Sequence, residues 1–259
     1  MAFTDAIAAV QKELSVEVAT TTDQWLELRG LAYRVHCEER GLEPSVGGLK
    51  FDAFDSSSRH VLVRNLPSGS VLGTGRVVLP DREARPDGLP MRRACDPLTL
   101  ARLPPASTGE ISPFKVTRDR TGLSPAAGAL IRVCLFRGIV QVSSASALTH
   151  WCALMDPSFL QLLRATGIHF APVGPTPEDC DAPQPVVCSI GTMLTRAKFE
   201  YPAVWAYITR DGLFDSPEHA SSLTSIDGTH RQSLDGVHWD SWYPAPYLRR
   251  PPPWTAGPT

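Results

Sequence analysis

Four charged side chains stand out by type and by place. Glu110 opens a strand-like run, Glu110–Thr117, that is interrupted by Pro113. Asp52 and Asp55 stand three apart among the aromatics of Phe51-Asp52-Ala53-Phe54-Asp55, and Arg76 closes the small-residue run Gly73-Thr74-Gly75-Arg76. A carboxylate beside a backbone that cannot complete a ladder hydrogen bond is an unusual thing to place in a core. Such a group can take a proton from a nucleophile, directly or through water. An arginine can hold acids ionised and oriented as a charge-paired cluster. The same four residues also make a plausible structural ion-pair network, and residue type alone leaves both readings open.

A second group follows the same strand. Arg118 and Arg120 precede Ser124-Pro125, which reads as an N-cap with proline at the first helical position. A helix N-terminus with basic neighbours attracts phosphate, whereas a solvated basic turn is the plainer account. His36 and His150 are candidate bases, although a lone histidine in an apolar setting is more often packed than catalytic. Six cysteines (37, 95, 134, 152, 180, 188) include no CxxC pair and no Cys-His pair at zinc spacing. No metal site is expected, and buried thiols of a reducing compartment are the expectation. GxSxG, Walker and HExxH patterns are missing from the sequence.

The elements that must position these groups follow from periodicity. Residues 4–14 read as an amphipathic helix and Val16–Thr20 as a first strand. Thr21 with Gln24 forms a capping box for a helix carrying Trp25, Leu28, Leu31 and Val35 on one stripe. Arg59–Asn65 and Val71–Leu79 read as a hairpin, and Pro80–Pro105 as a long functional or partly helical excursion. A helix from Ser124 to about Val142, a strand within Ala147–Met155 and a helix from Asp156 to Gly167 come next. Ile168–Val173 reads as a short strand, Gly174–Pro185 as a mobile loop, Val186–Met193 as a strand or helix start, and Tyr201–Thr209 as a last strand. The order predicts an α/β domain over residues 1–215 with a mixed sheet and helices on both faces. Residues 216–259, rich in Pro and Trp, read as an extension without its own core.

Composition sets bounds around this. At 259 residues, 42% of them hydrophobic, the chain can bury a substantial core, and its net charge of −2 gives no sign of a nucleic-acid partner. The N-terminus lacks the basic start and apolar run of a signal peptide, and the apolar stretch Ala126–Val142 carries Arg132 and Arg137. A cytoplasmic protein without a membrane span is the expectation.

Several pieces in order resemble one family: Tyr33-Arg34-Val35-His36-Cys37-Glu38-Glu39, the Phe51–Asp55 run, Gly73–Arg76, Glu110-Ile111-Ser112, Trp151–Pro157 and Leu162–Ile168. Together they resemble the GNAT-fold, autoinducer-synthase-like acyltransferases over roughly residues 15–210. The closer likeness is to the long-chain N-acyl amino acid synthases and the exosortase-associated acyltransferases, with the acyl-homoserine-lactone synthases more distant. The resemblance implies a sheet whose two central strands splay apart. It also implies transfer of a fatty acyl group from an acyl-carrier-protein or coenzyme A thioester to an amine, with no bound cofactor. Carried onto this chain, it implies catalytic roles for Glu110, Asp52, Asp55 and Arg76. Thioester-facing roles fall to Phe114, Lys115, Val116, Arg118, Arg120, Ser124 and Trp151, with backbone N–H groups near Phe114 polarising the carbonyl. The chain departs from the family where Pro113 and Ala32 replace arginines and His36 replaces an aromatic, and the GNAT glycine pattern is not clean in RDRTGLSPAAG. The alternatives are a non-catalytic acyl-binding module on a degenerate GNAT fold and a lactone-forming signal synthase.

Overall fold

The computed structural model describes residues 3–39, 41, 54–80, 88–93, 95, 100–173 and 183–215. Asp52, Cys180, residues 174–182 of the expected loop and all of residues 216–259 lie outside the described residues. Among the described residues seven strands build one sheet: β1 (Leu14–Val18), β2 (Ser58–Asn65), β3 (Val71–Val78), β4 (Thr108–Val116), β5 (His150–Met155), β6 (Ala171–Pro172) and β7 (Gln184–Ser189). Their spatial order is β1-β2-β3-β4-β5-β7-β6. Every neighbouring pair is antiparallel except β4 and β5, so the sheet is mixed, as expected.

The α-helices among the described residues are α1 (Phe3–Glu13), α2 (Thr22–Tyr33), α3 (Pro125–Ala145), α4 (Pro157–Ala165), α5 (Ile190–Glu200) and α6 (Pro202–Thr209). Thr21 caps α2 by the reciprocal bonds expected of it, its hydroxyl accepting from Gln24 N while the Gln24 side chain receives the Thr21 N–H. Ser124 caps α3, accepting from Ala127 N at 3.2 Å, with Pro125 in the first turn. α3 is the one described helix long and apolar enough to cross a membrane by composition. Its apolar surface is instead spent inside the fold, against β1, β2 and β3 and against α1 and α6. The approach to β2 is so close that a Cβ on Gly138 would stand 2.2 Å from Val61 Cγ1.

Two sequence expectations are corrected. Tyr201–Thr209 is not a strand; from Pro202 onward it is α6. Its branched and aromatic residues suggested a strand, but Val204, Tyr207 and Ile208 are buried at the spacing of a helix face packed on α3, with Thr209 buried beside them. Proline suits the first helical turn, where its missing N–H would have no partner. The Val186–Met193 run resolves into both alternatives, since β7 takes Gln184–Ser189 and α5 begins at Ile190. β7 also absorbs Gln184 and Pro185 from the expected loop.

The opposite face of the sheet is covered differently. Leu31 of α2 and Val35 of the π-helical turn Arg34–Glu38 pack on Leu62 and Val71. Leu89, Met91, Cys95 and Leu100 of the Pro80–Pro105 excursion pack on Val78 and Cys152. Met91 sits in a short 3₁₀ turn, Pro90–Arg93, so the excursion is partly helical, as expected.

The central strand changes face partway along. Arg76 pairs with Ser112, but Thr74 pairs with Lys115, so two residues of β4 (Pro113 and Phe114) oppose the single Gly75 of β3. That is a β-bulge, one of the few sheet positions that tolerates proline. Because side chains alternate with period two, one inserted residue reverses their direction beyond it. Glu110 and Ser112 point to the α2 face, while Phe114 and Val116 join the core beneath α3.

Candidate active site

Asp55 is the centre of a buried charge cluster on the α2 face. It sits in the 3₁₀ turn Asp55–Ser57, which Ser58 ties down by donating its hydroxyl proton to Phe54 O at 2.6 Å. One carboxylate oxygen lies 2.5 Å from Arg29 Nη2, and the other accepts from Arg76 Nη1 at 2.8 Å. His60 Nε2 approaches the second oxygen at 3.4 Å without hydrogen-bond alignment. Arg29 lies over the Trp25 ring at 4.5 Å, and His60 meets that ring edge-on at 4.8 Å.

Electrostatics here set definite charge states. Burial opposes ionisation of Asp55, yet His60 and the two guanidiniums overcome it and hold the carboxyl well below the usual range. His60 is pushed down to about 4, chiefly by burial and further by Arg29 and Arg76, against the pull of Asp55. The cluster is therefore one carboxylate, two guanidiniums and a neutral imidazole at neutral pH.

Arg76 carries the cluster to the central strand. Its Nε donates to Ser112 Oγ at 3.0 Å, one residue before the bulge. Two residues earlier, Glu110 is buried at 3% exposure, and one carboxylate oxygen accepts the Met91 N–H at 2.6 Å. Glu110 thus shares a face with Asp55, Arg76 and Ser112. Asp52 lies outside the described residues, so of the four expected acid-base residues the structure unites Asp55 and Arg76 and sets Glu110 on the same strand face.

Beside Glu110 the sheet opens. β4 and β5 pair in parallel from Thr108/His150 to Ile111/Ala153 and no further, although both strands continue. This is the expected splay, and the residues beyond it are Phe114, Lys115 and Val116. Phe114 crosses beneath β3, where a Cβ on Gly75 would meet its ring at 2.6 Å.

The loop from β4 to α3 supplies the expected thioester-arm residues. Arg118 N donates to both oxygens of Glu39, at 3.2 and 3.0 Å, and Thr117 Oγ1 donates to the same carboxylate at 2.5 Å. Glu39 follows the π-helical turn, a distortion often found at functional sites. Arg120 donates to the carbonyls of Thr117 and Asp119, and Ser124 N donates to Glu13 Oε2 at 2.7 Å. Two carboxylates of the chain therefore already sit on backbone N–H groups of this loop.

Other expected residues fall elsewhere. Trp151 is fully buried, donating to Ser143 Oγ at 2.8 Å and stacking on Phe170; it is a core residue behind the splay rather than part of an open surface. His150 bonds Thr149 Oγ1 through Nδ1 at 2.9 Å. Cys95, Cys134, Cys152 and Cys188 are buried and Cys37 is half-buried. Among the described residues no group of three His, Cys, Asp or Glu is placed to hold a metal ion.

Arg29 and His60 escaped the sequence reading. Arg29 stands one helical turn before Ala32, on the same side of α2, and delivers a guanidinium to Asp55, although position 32 itself does not carry the arginine that the resemblance led us to expect. The i,i+3 spacing was the available signal. For His60 it was strand alternation, which puts it on the same face as Ser58 and Leu62.

Residues 31–122 match the family model of an acetyltransferase (GNAT) domain. No curated protein matches by sequence. Among solved structures, the CoA-dependent acyl-homoserine lactone synthase BjaI, solved with SAM and isopentyl-CoA, superposes with a TM-score of 0.54 at 18% identity, covering 81% of this chain and 99% of that one. TofI, solved with an inhibitor and MTA, gives 0.53 at 20% identity over 74% and 99% of the two chains. FeeM, an N-acyl amino acid synthase from uncultured soil microbes, gives 0.52 at 16% identity over 71% and 93%. The architecture is the GNAT fold, with a mixed sheet, splayed central strands and helices on both faces.

Proposed function

We propose that the chain is an N-acyltransferase that moves an acyl group from an acyl-carrier-protein or coenzyme A thioester to the amine of an amino acid or related small molecule. The observation that carries this is the splay of β4 from β5 immediately after Glu110 and Ile111. The strands part there, with the Glu110 carboxylate beside the last paired residues of β4 and Arg118 and Arg120 in the loop that follows the strand. BjaI is named a CoA-dependent lactone synthase and FeeM an N-acyl amino acid synthase. Both names are of synthases of acylated products, and acyl transfer is what is brought to this chain.

In the proposed reaction the neutral amine attacks the thioester carbonyl carbon, the C–N bond forms and the C–S bond breaks. The departing thiolate takes up the second proton that the nitrogen gives up as the amide forms. The proton lost by the ammonium acceptor passes to Glu110, directly or through one water. Backbone N–H groups at the bulge near Phe114 would carry the charge of the tetrahedral oxygen. Asp55, Arg29 and Arg76 are positioning residues, because Arg76 reaches the strand through Ser112. Arg118, Arg120 and the α3 N-terminus would receive the phosphate of the pantetheine arm, exchanging with the Glu39 and Glu13 carboxylates now in place.

The test is incubation of the purified chain with acyl-carrier-protein and acyl-coenzyme A thioesters and a panel of amines, following free thiol. Glu110→Gln should lower turnover by roughly a hundredfold or more while leaving thioester binding intact. Wild-type turnover by Glu110→Gln would refute the base. Stoichiometric acyl ligand in native mass spectrometry with no turnover would instead identify a non-catalytic binding module.

A further inference from the structure

Where the pairing of β4 and β5 ends, aromatic rings lie on the α3 side of the sheet. Phe114, turned to the α3 side by the bulge, meets Phe159 of α4 with ring centroids 5.3 Å apart. Phe136 of α3 closes the triangle, 5.2 Å from Phe114 and 6.4 Å from Phe159. Phe114 comes from one side of the splay and Phe159 from the helix that follows β5 on the other, so their contact spans the opening. Behind them Phe136 contacts Trp151 and Phe170, both fully or nearly fully buried. Phe114 meets both of the other rings edge-on, a stable packing, while Phe136 and Phe159 are tilted at 37° to each other. Phe136 is completely buried, whereas Phe114 and Phe159 keep part of their surface exposed.

We infer that Phe114 and Phe159 are specificity-determining residues that restrict the acyl group to short chains, acetyl to butanoyl, rather than the fatty chain that the family resemblance implies. The inference rests on the acyltransferase reading above. A thioester carbonyl held at the bulge directs its acyl chain through the splay toward α3, and the Phe114–Phe159 contact stops that path. Longer chains require one ring to leave its edge-to-face contacts. Gly75 cannot yield space, because the Phe114 ring already lies against it. Phe159 is the more movable of the two, since it sits at the start of a nine-residue helix with its far side beneath Arg132, 5.8 Å from the ring.

The experiment measures binding and thiol release for acetyl, butanoyl, octanoyl and dodecanoyl thioesters, each on coenzyme A and on a carrier protein. The proteins are wild type, Phe159→Ala, Phe159→Leu and Phe114→Ala. Wild type should favour butanoyl over dodecanoyl by at least about tenfold, the scale at which an apolar pocket discriminates length. Phe159→Ala should reverse that order, with Phe159→Leu between. Should Phe159→Ala fail to fold, the leucine variant and Phe114→Ala carry the same comparison. Equal use of dodecanoyl and butanoyl by wild type overturns the inference alone, as does an unchanged ranking in the variants. If no thioester of any length binds, the inference falls together with the reading on which it rests.

Discussion

The two faces of β4 are held by opposite chemistry. Toward α2 the strand is fixed by charge, in the chain Arg29–Asp55–Arg76–Ser112, with Glu110 bonded to Met91. Toward α3 it is fixed by rings, Phe114 against Phe136 and Phe159. The bulge at Pro113 and Phe114 lets one strand serve both. The polar face sets where the backbone stands, because ion pairs and hydrogen bonds are directional. The aromatic face sets what fits, because packing has volume but little direction. A buried charge cluster tolerates loss of a partner badly, whereas an aromatic contact can be trimmed by degrees.

The largest expected effect tests that contrast directly. Asp55→Ala would remove the carboxylate that both buried guanidiniums touch and should cost about 3–5 kcal/mol, read by urea denaturation. Phe159→Leu, on the other face, should cost less than about 1.5 kcal/mol. Comparable losses would show that the polar face is not the more brittle one.

The next effect is pH-dependent. His60 titrates near 4 in the fold and near 6.5 when unfolded, so between those values the unfolded chain binds the extra proton. Stability should therefore be full above about pH 6.5 and fall as pH drops toward 4, by on the order of 3 kcal/mol. Below that window Asp55, whose folded pKa is depressed, adds a further loss as the unfolded carboxyl takes its proton first. His60→Gln should flatten the upper window and leave the lower one. A slope unchanged by that substitution would place the titration on another group.

Much of this was legible in the sequence, and what was not has a physical reason. Caps at Thr21 and Ser124 are local chemistry and were read correctly. The splay was expected from the family resemblance rather than from any residue pattern. Tyr201–Thr209 was misread because its composition suits a strand, while its packing on α3 makes it a helix. Pro113 read as the loss of a family arginine; in the fold it stands at the bulge that turns Phe114 into the core. The face reversal depends on pairing with β3, which no single stretch of sequence contains. Arg29 was hidden for the same reason, since its partner Asp55 lies across the intervening chain.

The smallest effect probes the bulge itself. Gly73 and Gly75 both direct their missing Cβ toward α3, but they meet different obstacles. At Gly73 a Cβ would stand 3.1 Å from Ile131 Cγ2, the end of a side chain that can shift by a few tenths of an ångström. At Gly75 it would stand 2.6 and 2.7 Å from two atoms of the Phe114 ring, which is wedged by Phe136 and Phe159. Gly75→Ala should therefore cost about 1–3 kcal/mol and Gly73→Ala less, both measured by urea denaturation. Pairing Gly75→Ala with Phe114→Ala in a double-mutant cycle should recover most of the loss, because the clash is with that ring and nothing else nearby. If the two substitutions add instead, the ring is not held where the bulge puts it, and the aromatic face of β4 is looser than its polar face.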